Sequence, residues 1–97
     1  MFPEALYEAI GRTEDALRTK PEARAAPLHQ MVYTTPDGDA ELMCLDVEGI
    51  LPIPDQGKII TLHEYDVMVT SSRTTYARDE RTGRPQLFTV VRVTAVE

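Results

Sequence analysis

Chemistry in this chain would have to come from very few side chains. His29 and His63 are the only imidazoles, and neither has a Cys or second His near it at metal-ligand spacing. The His63-Glu64-x-Asp66 cluster reads as a solvated turn. Asp37, Asp39 and Glu41 form an acidic run with oxygens that suit Ca²⁺, yet the later ligands of a calcium loop are missing. Cys44 stands between Met43 and Leu45 with no basic neighbour to lower its pKa, so it reads as a small buried hydrophobe. Ser71 and Ser72 lack a glycine-flanked elbow, and no glycine-rich run could cradle a phosphate. An enzyme would need a pocket joining His29, His63 or Cys44 with carboxylates. No catalytic residue, metal or cofactor is expected.

One segment does suit recognition. Arg73, Tyr76, Arg78, Arg81 and Arg84 lie within twelve residues, and Arg and Tyr are the types enriched at binding hot spots. The segment reads as a charged loop over residues 71–85, with Thr82-Gly83 supplying a turn. Residues 1–70 carry five Lys/Arg against thirteen Asp/Glu, a net −8, whereas residues 71–97 carry five Arg against three acids, a net +2. Such polarity favours a protein partner, or a second copy whose acidic body meets this basic arm. Arg with Tyr also suits single-stranded nucleic acid, with Arg92 as a further cation. That alternative is weaker, because Asp79 and Glu80 interrupt the arm and the net charge of the whole chain is −6.

The elements that must position these residues follow from length and pattern. Ninety-seven residues suffice for one domain, and 42% hydrophobic with 27% charged residues, close to ordinary globular usage, disfavour wholesale disorder. No apolar run approaches the ~20 residues of a membrane span. A single cysteine and no recognisable secretory leader point to a reducing, cytoplasmic setting.

Phe2, Leu6, Ile10 and Leu17 fall near helical spacing among helix-forming alanines, which predicts a helix within residues 1–18. Pro3 suits its first position. Gly11 weakens its middle, and Thr13 could cap a fresh start, so two short helices are an alternative. Residues 19–27, with Pro21 and Pro27, read as a linker. A β-domain then fills residues 28–97. Leu28–Thr35 and Ala40–Gly49 form a hairpin around Pro36-Asp37-Gly38-Asp39. Met43, Leu45 and Val47 share one face, while Leu42 and Cys44 extend apolar character to the other, as if the helix covered that end.

Two prolines make Leu51–Gly57 a corner rather than a strand. Ile59–Leu62 and Tyr65–Thr70 form a second hairpin around His63-Glu64, which lacks the usual two-residue turn chemistry and so is expected to borrow a neighbour. From Pro85 the last strand is apolar on both sides, with Val91 at its middle, and must be central or turn a barrel corner. Pro54, Gly57, Ile59, Tyr65 and Val67 together are similar to the strand-turn-strand core of many small bacterial and phage β-barrel domains. That resemblance implies a fold type and no activity. The expected architecture is α+β and mostly β: an N-terminal helix, then about five antiparallel strands in a small barrel or strongly bent sheet.

Overall fold

A computed structural model describes residues 1–96; Glu97, the end of the expected β-domain, lies outside the described residues. One helix, α1 (Glu4–Leu17), precedes five strands: β1 (Leu28–Thr34), β2 (Glu41–Glu48), β3 (Ile59–Leu62), β4 (Tyr65–Arg78) and β5 (Pro85–Ala95). Helix α1 runs unbroken through Gly11. Thr13 hydrogen-bonds back to the Ala9 carbonyl instead of capping a second helix, and Pro3 stands at the N-cap instead of the first helical position. The segment between helix and sheet is a series of turns that buries Ala23, more structured than a linker.

The strands form one sheet in the order β2-β1-β5-β4-β3. β5 lies in the centre, as its two apolar faces require. The expectation of uniformly antiparallel pairing is corrected at one place: β1 and β5 run parallel, Met31 opposite Thr89 and Tyr33 opposite Val91. Three pairings remain antiparallel. The parallel pair arises because the chain travels across β2, the corner, β3 and β4 before returning beside β1, a route long enough for such a crossover.

Alternation along the strands places His29, Met31 and Tyr33 of β1, Thr89, Val91 and Val93 of β5, and Val69 of β4 on the inner face, where all are buried. Met43 and Leu45 from one edge strand and Ile60 and Leu62 from the other pack on that same cluster. For opposite edges to share a core, the sheet must curl into a nearly closed barrel. The corner after β2 seals it. Leu51 and Ile53 insert into the cluster, while Gly49 N–H bonds Pro27 and Gly57 N–H bonds Val69.

Two irregularities shape the edges. Thr70 is an extra residue between the Val69–Val93 and Ser71–Arg92 pairs, a bulge that bends β4 away from the barrel. Beyond it β4 continues as strand to Arg78, so most of the expected charged loop is instead the outgoing half of a long β4–β5 hairpin; the turn occupies Asp79–Arg84. Leu42 is skipped where Thr34 pairs with Glu41, and it stays exposed rather than covered by the helix. The second hairpin does use two residues, with Leu62 paired to Tyr65 and His63 held at φ 56°.

Val91 is 0% exposed at the centre of the core, so Val91→Ala should cost about 1–3 kcal/mol in equilibrium denaturation. Arg81→Ala should change stability by less than about 0.5 kcal/mol, since its side chain is exposed and only its backbone N–H bonds Asp79. Similar small effects for both would show that the core is misplaced.

Candidate recognition face

Most of the residues singled out by type prove to be structural or isolated. His29 is 1% exposed and fixed at both nitrogens: the Leu51 backbone N–H donates to Nδ1 at 3.0 Å, and Nε2 lies 2.8 Å from Thr89 Oγ1. Because Nδ1 accepts, Nε2 must carry the proton and donate to Thr89, whose hydroxyl lies 2.9 Å from Thr74 Oγ1. The imidazole therefore ties β1 to the corner, to β5 and to β4. His63 lies in the β3–β4 turn, at the far edge of the sheet. Cys44 is exposed on the outer face of β2 and not the buried hydrophobe expected, its sulfur 3.6 Å from the Gln30 amide.

Asp37 closes the β1–β2 turn by accepting from Thr35 Oγ1 at 2.6 Å and from Asp39 N–H, bonds that hold its carboxyl below the usual range. Asp66 accepts from Thr61 across the second hairpin. Among the described residues no group of three His, Cys, Asp or Glu could hold a metal ion. No helix among them is long and apolar enough to cross a membrane.

The arginine-rich segment divides into two sets. Arg78 is an internal clamp. Its Nε and Nη2 meet the two Glu14 oxygens at 2.7 and 3.1 Å, while Nη1 donates to the carbonyls of Ala23 and Gly83. One guanidinium thus fastens α1, the following turns and the β4–β5 turn to the end of β4, with the planar fork that arginine offers and lysine lacks. Arg84 is likewise engaged, with Ala26 O at 2.8 Å and Glu48 at 3.3 Å. Arg73, Tyr76 and Arg81 remain exposed; Arg73 is on the outer face, Tyr76 on the inner, and Arg81 in the turn. The structure does not gather the five residues into one basic surface.

Close approach completes the clamp. Gly83, at φ 77°, is buried where a Cβ would stand 2.5 Å from the Leu17 carbonyl oxygen and 2.6 Å from Lys20 Cβ. Thr82 O accepts from Glu22 N–H beside it. Asp79 shapes the turn by accepting from the N–H groups of Arg81 and Thr82, which lowers its pKa.

What this clamp presents is a groove between α1 and the hairpin. Ile10, Thr13 and Leu17 line one side, and Tyr76, Pro85 and Leu87 the other. No residue of α1 is buried, with Leu6 46% exposed and Ile10 54%, and Tyr76 across the groove is 72% exposed. The helical period shows in the sequence, but its pattern implies a covered face. That the sheet's core fills without it is visible only in three dimensions. Glu14 also escapes a sequence reading, since nothing local marks it as the partner of a residue 64 positions away.

With this geometry in hand, comparison adds no relative: no protein-family model, no curated protein and no solved structure matches the chain significantly.

His29→Leu should destabilise the fold by about 1–3 kcal/mol, because the part-buried Leu51 N–H loses its acceptor and the buried Thr89 hydroxyl loses its donor, keeping only Thr74. The Arg78 hydrogen bonds and charge hold the Glu14 carboxyl below its ordinary 4.5. A lowered carboxyl pKa stabilises the paired state above that value and ceases to do so as pH falls through the folded-state pKa. Protection factors of the amides in α1 and residues 18–25, taken relative to intrinsic exchange at each pH, should therefore fall on acidification below about pH 4.5. Glu14→Gln should show the lower protection already at neutral pH, and Arg78→Lys should not restore it. Identical pH profiles for Glu14→Gln and the parent would remove the clamp from this account.

Proposed function

We propose that this domain is a non-catalytic protein-protein interaction or self-assembly module whose docking face is shared by α1 and the β4–β5 hairpin. The observation that carries the reading is surface left uncovered. The chain exposes 7174 Å², whereas a folded monomer of its size exposes about 5,600 Å². Its radius of gyration is 16.3 Å, against about 12.5 Å for a compact domain of this length. The excess of about 1,600 Å² is twice what one partner contributes to a standard interface. It is also apolar where it matters, at Phe2, Leu6, Tyr7, Ile10 and Tyr76.

The exposed Arg73, on the outer face of the hairpin, and Arg81, in its turn, give the hairpin a positive charge that the acidic remainder lacks, which favours an acidic partner surface over a neutral one. Single-stranded nucleic acid is the lesser reading, since Arg78 and Arg84 are turned inward and Tyr76 lies on the face opposite Arg73. The exposed lone Cys44 suits a reducing, cytoplasmic compartment.

The deciding experiment compares the parent with Leu6→Asp/Tyr76→Ala, which removes the apolar face without touching the core. Denaturation should show the two equally stable within about 0.5 kcal/mol. The parent should self-associate in light scattering or retain a protein from extract, and the variant should do neither. Equal behaviour of both proteins overturns the reading. Retention of labelled oligonucleotide at low salt by the parent, with no protein association, replaces it with the nucleic-acid alternative.

A further inference from the structure

The exposed face of α1 has a definite shape. At 3.6 residues per turn, Leu6, Ala9, Thr13 and Ala16 fall along one exposed stripe, with Ala9 and Thr13 at the rim of the groove, while Glu14 and Leu17 turn toward the hairpin. Bulk is concentrated at the N-terminal end of the stripe, and small side chains at the other. Arg12 and Glu8 flank it on the side away from the hairpin. They stand one turn apart, yet the ion pairs among the described residues are Arg18–Asp15, Arg78–Glu14 and Arg84–Glu48, and neither flanking residue belongs to one.

Resting on the interaction reading above, we propose that the occupant of this face is a second copy of the chain, its α1 packed antiparallel to the first about a two-fold axis near Ala9. Three observations select this arrangement. Antiparallel packing sets Leu6 of each copy against the small Thr13 of the other, whereas parallel packing would oppose Leu6 to Leu6 and leave a gap at Ala16. It brings Arg12 of each copy toward Glu8 of the other, two reciprocal pairs from one symmetry operation. It also places each helix N-terminus beside the opposite C-terminus, the favourable order of the macrodipoles. The chain as a whole exposes about 1,600 Å² more than a compact monomer of its size, against about 800 Å² given by each partner to a standard interface.

Two measurements test the pairing. In a Cys44→Ser background, Ala9→Cys should cross-link to itself under mild oxidation, because it lies at the axis, and Ala16→Cys should not. Failure at Ala9, or self-linkage at Ala16, overturns the antiparallel geometry. Glu8→Arg and Arg12→Glu should each weaken self-association roughly tenfold or more, since each sets like charges together twice. An equimolar mixture of the two should recover a heterodimer in light scattering, which neither loss of folding nor a single-chain effect can mimic. A mixture that stays monomeric overturns the charge pairing. A parent that never self-associates but retains a foreign protein through Leu6 and Tyr76 overturns the self-pairing and leaves the interaction reading standing; one that does neither overturns both.

Discussion

The whole sheet is organised by β5, which is hydrogen-bonded along both edges, in parallel to β1 and antiparallel to β4. Since β1 carries β2 and β4 carries β3, removing this one strand would leave two unconnected hairpins. Two-stranded hairpins are at best marginal alone, so cooperative folding waits on β5. Its inner side supplies Thr89, Val91 and Val93 to the core, and Thr89 also accepts a hydrogen bond from His29 Nε2, which links the central strand to the corner that seals the barrel. Long-range pairing of this kind carries a high loop-closure cost before the core repays it.

The helix is held by a different kind of force. Its attachment relies on one guanidinium and on the absence of a side chain at Gly83, with no buried residue of its own. A charge-assisted, geometrically demanding contact fixes direction without contributing much apolar burial. The helix is therefore well placed and thinly covered. Local opening should begin there, because stability within a structure follows buried apolar contact.

How much of this was legible in the chain depends on whether the signal is local. The helix, the Pro36–Asp39 hairpin, the corner at Leu51–Gly57 and the two-sided last strand all follow from spacing, turn chemistry and proline, and each stands where the pattern puts it. The parallel β1–β5 pair does not, since alternation reveals which face a strand buries and nothing about the direction of its neighbour. The charged segment reads as a loop because Arg, Thr and Ser from Ser71 to Arg78 are polar, and a strand exposed over most of its length carries the same residue types. Sequence type likewise could not separate the inward Arg78 and Arg84 from the outward Arg73 and Arg81. Their partners, Glu14, Ala23, Ala26 and Glu48, lie far away in the chain.

The size of the core links architecture to assembly. Five hydrophobic side chains form the buried cluster, with the remaining aliphatic residues packed only partly against it, so a chain this short has little stability in reserve. A partner that binds the folded state alone adds to that stability in proportion to the logarithm of its concentration. The same partner would bury the apolar stripe that otherwise invites nonspecific contact. Covering α1 thus serves solubility and stability together, and the sheet need not widen to reach it. A helix anchored by charge at one end and left apolar along its length suits that role, because the clamp sets its orientation before any partner arrives and lowers the conformational cost of docking.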